Sequence, residues 1–349
     1  MPNTTSSGRP RALWALLLSA AIAHVAFEGA VAARKAKQPP AVCRGEDMLA
    51  GLSVTDPAAH GRILESGRPI ANQQALLWRV ERAGLAPSHL FGTIHVTDGR
   101  VSTLSPAVVA ALDQARAVAV EVTDVSPDAA GKAMAEASAL VTFTDHQRLD
   151  RLITPEAFQK AQTALGRARV PTTSLRQLKP WVVTLILAVG PCERTALDRG
   201  AKVLDQVIVD RARARKIPVV GLETLGEQLQ AAAAIPLADQ VELLKTAIAF
   251  SDRTDDLSEA LLQLYLARRI GAALPFQSHL MEQAGARPEA ITAFRREMIE
   301  KRNRTMRTRA LPLLAKGGVF IAVGALHLPD ADGLVALLRD AGYTVTSVD

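Results

Sequence analysis

Two stretches at opposite ends of the chain read alike, and their likeness narrows what the chain can build. Residues 88–91 form a short strand pattern that runs into Gly92, Thr93, Ile94 and His95. Residues 319–323 form another that runs into Gly324, Ala325, Leu326 and His327. Each is followed by a loop bearing aspartate (Asp98; Asp330 and Asp332), a helical stretch and a further strand pattern. Glycine next to a strand lets the backbone turn tightly or approach a ligand. A histidine three residues later then stands at the carboxyl end of the strand, where open α/β sheets place their sites. The expected fold is therefore α/β: a central, mostly parallel sheet built from two strand–GxxH–helix–strand units, with a large helical region inserted between them. If the units pair about a pseudo-twofold, the two histidines face one another.

The remaining pattern fits this frame. Residues 75–80 and 88–91 flank a turn with Gly84 and Pro87, which predicts a hairpin. Ser105 and Pro106 suit the cap and first position of a helix reaching about residue 115. Residues 117–122 are a near-continuous apolar run of strand length, as in a sheet covered on both faces, and residues 217–222 read as a second buried strand. Helical patterns cover 126–140, 154–165, 181–189, 204–215, 225–233, 237–251, 255–270 and 289–315. The chain closes with a strand at 319–323, a helix at 332–341 and a strand at 343–348.

The N-terminus reads as an address. Arg9 and Arg11 precede a sixteen-residue apolar run, 12–27, and Ala30-Val31-Ala32 supplies small residues at cleavage-type positions. That is the order of a secretory signal peptide. The run is shorter than the ~20 residues a spanning helix needs, although an uncleaved anchor is the competing reading. No lipoprotein pattern precedes Cys43. Residues 1–32 are thus assigned to the signal, 33–74 to a linker and N-terminal extension, and 75–349 to the main domain. No later apolar run is long enough to span a membrane. Cys43 and Cys192 are the only cysteines. In an oxidising compartment they form one disulfide, the alternative being two buried thiols.

Apolar residues are 48% of the chain and charged ones 22%, which excludes a disordered or collagen-like chain. The formal charge of +6 comes from scattered arginine, and aromatic residues are only 4%, so base stacking has few residues to use and no nucleic-acid partner is expected.

Two acids stand out. Glu121 interrupts an apolar strand, and an ionised carboxylate is costly there unless paired or ligated. It is either a site residue or one half of a salt bridge to an arginine on a nearby helix. Glu223 ends the 219–223 stretch and poses the same choice. The second GxxH unit offers no matching acid before Asp349, so the expected site is asymmetric. Each histidine alone reads equally as a capping or core residue; the pairing of the units is what favours a site. No HExxH, CxxC, GxSxG, phosphate-binding or dinucleotide pattern occurs.

Leu90–His95, Val120-Glu121, Leu178–Trp181, Val219–Thr224 with Glu227-Gln228-Leu229, Arg302-Asn303 and Val323–Leu328 together resemble the TraB/GumN family, which is related to TIKI metalloproteases and more distantly to erythromycin esterases and ChaN-like haem-binding proteins. The resemblance runs from about Ala75 to the C-terminus, with Pro329 where the family usually has glycine. It implies a site of His95, His327, Glu121 and Arg302.

Two mechanisms follow from that resemblance. In one, His95, His327 and a carboxylate (Glu121 or Glu223) hold a divalent metal, Mn²⁺ or Co²⁺ by resemblance and Zn²⁺ by ligand type, for hydrolysis of a peptide or ester. In the other no metal takes part: a histidine oriented by Glu121 is the general base and Arg302 steadies the oxyanion. A binding protein on the same scaffold is the third possibility.

Overall fold

The computed structural model describes residues 43–124 and 127–349. The signal-peptide assignment for 1–32 lies outside the described residues.

Six strands form one sheet: β1 (Leu77–Glu81), β2 (Ser88–Thr93), β3 (Ala117–Val120), β4 (Val219–Gly221), β5 (Val319–Gly324) and β6 (Thr344–Ser347), in the order β4-β3-β5-β2-β1-β6. The four strands β4, β3, β5 and β2 run parallel. β1 is antiparallel to both β2 and β6, so the sheet is mixed at that edge. The expected hairpin is β1–β2, and the α/β class with a mostly parallel sheet is what forms.

β5 is the centre of the sheet because every side chain from Val319 to Val323 is apolar and at most 1% exposed. Alternation divides them between two layers. Phe320 and Ala322 pack with Val118, Val120 and the helices Pro106–Asp113 and Leu204–Ala214. Val319, Ile321 and Val323 pack on the opposite side with the helices Lys301–Leu314 and Leu334–Asp340. Each such side chain contributes about 1.5–3 kcal/mol when fully buried. Helix Pro106–Asp113, which connects β2 to β3, therefore covers one face, and helix Leu334–Asp340, which connects β5 to β6, covers the other. β2 and β5 are neighbours whose chains leave in opposite directions. That is a topological switch point, where a crevice opens beyond the strand ends. The two GxxH segments border it.

The two units also pack directly on each other. A Cβ on Gly92 would lie 2.7 Å from Leu328 Cδ1 and 3.1 Å from Ala325 Cα, so only glycine admits the second unit's loop.

The segment 217–222, expected as a buried strand, is reduced to the three residues of β4. It lies at the sheet edge, and Val220 is 36% exposed. Helices Pro191–Asp198 and Ala273–Gln283 go beyond the sequence reading. The helical run over 289–315 forms, but Arg296–Glu300 within it widens to a π-helix. Helices Met48–Thr55 and Pro57–Gly67, capped by Asp47 and Asp56, bury Leu49 and Ile63 against Ala260, Leu264 and Phe276. The inserted helices carry their own core around Leu149, Leu165, Val183 and Leu244.

Cys43 and Cys192 are joined as a disulfide across 149 residues of chain, with Cα atoms 5.6 Å apart. Closing so long a loop restricts the unfolded chain by up to about 5 kcal/mol in the chain-entropy description. A Cys43→Ser/Cys192→Ser variant should lose about 2–5 kcal/mol in guanidinium unfolding. Reduction of the unaltered protein should give the same loss, whereas equal midpoints would show that the bridge does not stabilise.

Candidate functional site

His95 lies two residues beyond β2. Its Nδ1 is 2.7 Å from Asp205 Oδ2, and Asp205 Oδ1 accepts the Thr93 hydroxyl at 2.7 Å. Asp205 is in the first turn of helix Leu204–Ala214, whose start is tied to the histidine loop by the Leu204 N–H donating to the Val96 carbonyl. His327 closes the short turn Ala325–His327 after β5. Its Nδ1 is 2.7 Å from Asn303 Oδ1. Asn303 is fully buried, and its Nδ2 donates to the Asp332 carbonyl at 2.7 Å, which fixes the amide oxygen toward the histidine. A carboxylate and an amide oxygen only accept, so both imidazoles carry hydrogen on Nδ1. Nε2 is therefore the chemically open atom of each ring.

Those rings converge on Gly324. A Cβ there would lie 3.6 Å from His95 Nε2, 3.6 Å from His327 Cδ2 and 3.3 Å from Glu121 Oε1. Glycine is needed because a side chain would fill the space that the three groups share.

Glu121 stands one residue past β3, and Glu223 two residues past β4. The strand ladder continues between them, the Glu223 N–H donating to the Glu121 carbonyl at 2.8 Å. Two buried carboxylates are thereby held side by side, and Arg302 separates their charges. Its Nη2 donates to Glu121 Oε2 at 2.6 Å and to Glu223 Oε2 at 2.7 Å, while Nε donates to Glu223 at 3.1 Å. Gln228 Nε2 donates to Glu121 Oε2 at 3.0 Å, and the Gly324 N–H donates to Oε1 at 2.6 Å. Oε1 also lies 3.8 Å from His327 Nε2, beyond hydrogen-bond range.

Charge sets the protonation states. Burial opposes ionisation of Glu121, but Arg302 and then the two histidines and the Gly324 N–H outweigh it, holding the carboxyl well below its usual range. Burial would likewise strip His95 of its proton, yet the Asp205 charge and hydrogen bond lift its pKa to about 9. Burial and then Arg302 lower His327 to about 3, with Glu121 pulling weakly the other way. Without a cation bound, His95 is held toward its imidazolium form and His327 toward its neutral form, so a cation at His95 Nε2 would have to displace a proton.

His95, His327, Glu121, Glu223 and Arg302 are thus all brought together. The salt-bridge alternative for Glu121 is realised at the same time, since its partner is the arginine of the cluster. Three partners escaped the sequence reading: Asp205, Asn303 as the orienter of His327, and Gln228. An aspartate in the first turn of a helix is ordinary, so nothing in the sequence marks Asp205. His60, His89, His146 and His279 take no part in the cluster.

The donor chemistry suits a divalent cation: two Nε2 atoms and one carboxylate oxygen, with each Nδ1 committed to an acceptor in the manner of histidine ligands. Glu121 Oε1 and His327 Nε2, 3.8 Å apart, are not bonded to each other, so both would be available to a cation. Among the described residues, no group of three or more His, Cys, Asp or Glu side chains is placed so that it could hold a metal ion as it stands.

A model of the TraB/PrgY/gumN family matches residues 76–347. No curated protein and no solved structure matches the chain.

Arg302→Met leaves two buried carboxylates facing each other and should cost about 3–5 kcal/mol in denaturant unfolding. Arg302→Lys keeps the charge but not the planar fork, and should recover only part of that loss.

The two histidines should also shape stability against pH in chelator-treated protein. Folding raises His95 from 6.5 to about 9, so its stabilisation is whole below pH 6.5 and disappears as pH rises through 9. Folding lowers His327 from 6.5 to about 3, so its cost grows as pH falls below 6.5. His95→Gln should flatten the alkaline limb of Tm against pH, and His327→Gln the acid limb; unchanged limbs would contradict the assignment.

Proposed function

The chain belongs to the TraB/PrgY/gumN family, and from the geometry at its strand ends we propose that it is a hydrolase of peptide or ester bonds acting through His95, His327 and Glu121. The observation that carries this reading is the convergence of two oriented imidazoles and a buried carboxylate on the space beside Gly324, at the mouth of a topological switch point.

We assign His95 Nε2, His327 Nε2 and Glu121 Oε1 as the groups that would hold a divalent cation. Bound there, the cation supplies Lewis-acid polarisation of the scissile carbonyl and a more acidic water. The chain's own residues prepare the place. Asp205 and Asn303 lock both rings with Nε2 inward. Arg302 keeps Glu121 ionised and, with Glu223 and Gln228, fixes where its oxygens point. Glu223 is a positioning residue, since Arg302 takes up both its oxygens. Around the cluster, Glu121, Glu223 and Asp205 outnumber Arg302 in charge, so a cation is electrostatically welcome despite the guanidinium. In the absence of metal, the same rings form an acid and base pair: His327 Nε2 accepts a proton from water while His95 Nε2–H donates to the developing oxyanion. The raised pKa of His95 fits the acid role, whereas the lowered pKa of His327 makes it a weak base.

The Cys43–Cys192 bridge supports an oxidising compartment. Together with the leader pattern of residues 1–32, it leads us to propose an exported protein.

Elemental mass spectrometry of the purified protein should find about one equivalent of a transition metal, lost in His95→Ala/His327→Ala. Asn303→Ala should lower metal affinity or turnover by about 10–100-fold. Turnover without metal that still requires both histidines selects the acid–base pair. Folded variants that change binding but never turnover would reduce the protein to a scaffold.

A further inference from the structure

We propose that the larger of two cavities meeting at His95 and Glu121 is a subsite for the apolar acyl chain of an ester substrate, an inference that rests on the hydrolase reading above. One cavity, of about 170 Å³, is bordered by Thr123, Asp205, Gln206, Asp210 and Arg213. The other, of about 300 Å³, is bordered by Leu185, Leu261, Leu264, Phe294, Met298 and Leu326. His95, Glu121 and Gln228 border both, so they form the partition between a mixed space, which Val122, Val203 and Val209 also line, and a mainly apolar one. His327 and Arg302 face only the apolar side.

A carbonyl placed against the two Nε2 atoms therefore has unlike surroundings on its two sides. Its acyl chain enters the apolar cavity, and the alcohol portion lies on the side of Asp205 and Arg213. At roughly 30 Å³, the share of one water molecule in the liquid, taken as the size of one chain carbon, 300 Å³ takes a chain of about ten. The capacity is at the lower end of that of small-molecule sites. Its walls come from separate helices of the inserted region, and the π-helix Arg296–Glu300 turns Met298 and Ile299 into the space just before Arg302. Single-turn π segments of this kind often accompany sites. In the reaction, the oxygen of water bonds to the acyl carbon and the bond to the alcohol oxygen breaks. A proton from the water ends on the departing oxygen, which leaves a carboxylic acid and an alcohol.

The test is a p-nitrophenyl ester series from acetate to myristate on the full chain. kcat/KM should rise about fourfold per methylene until about ten carbons and fall beyond. Leu261→Trp should move the optimum to shorter chains, with about a tenfold or greater loss on decanoate relative to butyrate. Phe294→Ala should move it to longer ones. Opposite shifts separate a subsite from general damage, which lowers all lengths together. A profile that is flat, or best with acetate, overturns the subsite while leaving the hydrolase reading intact. If no ester of any length is turned over, the ester form of the hydrolase reading fails, and calorimetric titration with decanoate and butyrate decides the subsite alone. Tighter binding of decanoate, weakened by Leu261→Trp, sustains it; equal or absent binding of the two acids overturns it.

Discussion

The ion cluster of Glu121, Glu223 and Arg302 governs how this sheet ends. Parallel strands β3 and β4 bring their carboxyl ends side by side, and an acid follows each. Two carboxylates this close, 7% and 5% exposed, repel each other and have little water to screen them. A single guanidinium resolves both, because its planar fork donates to Glu223 through Nε and Nη2 and reaches Glu121 with the same Nη2. With that cation in place, Glu121 is ionised, its Oε1 is drawn to the Gly324 N–H, and the β5 exit is fastened to the β3 exit. The positions of both histidines relative to the acid follow from this fastening.

The legible part of the site is the part written locally. Each GxxH lies within four residues, so its glycine, its histidine and the strand before it are visible together. Glu121 and Glu223 were visible because a charge at the end of an apolar run has few bland explanations. Asp205 and Asn303 were not, because they act across the fold: 110 residues separate His95 from Asp205, and the Asn303 contact exists only once its helix lies over the β5 loop. The expectation that Glu121 orients a histidine was the natural one for residues known only to be near each other. In the structure the orienters are an aspartate and an amide, and Glu121 instead shares the space into which the rings point. The fold was legible for a similar reason: strand runs and caps are short-range signals. The shrinking of 217–222 to an edge strand depends on what lies beside it, and the π-helix on packing at a single turn.

Asymmetry between the two units has a physical consequence. One ring is tied to a carboxylate and the other to a neutral amide, so the same geometry at Nδ1 favours a proton on one Nε2 and a lone pair on the other. An anion behind His95 stabilises positive charge on that ring, whether a proton or another cation provides it. Asn303 offers no such stabilisation, and Arg302 nearby opposes protonation of His327. Copies of one unit become two different chemical groups through what stands behind each ring.

The division between sheet and inserted helices separates chemistry from selection. Every group that converges near Gly324 is carried by a strand exit or fixed to one, and strand exits in a buried parallel sheet have little freedom to move. The cavity walls are side chains of helices that also build two cores, Leu185, Phe294 and Met298 with the one around Leu149 and Leu244, and Leu261 and Leu264 with the one around Phe276. A substitution such as Leu261→Trp changes the volume of the apolar cavity without touching a hydrogen bond of the cluster, whereas a shift of Asn303 alters a ring's orientation without changing the walls. Because apolar side chains line one flank of Glu121 and Arg302, they lower the polarity there and strengthen the ion pairs they border. The helices therefore contribute to the chemistry through the dielectric they impose, even where none of their atoms touches a reacting group.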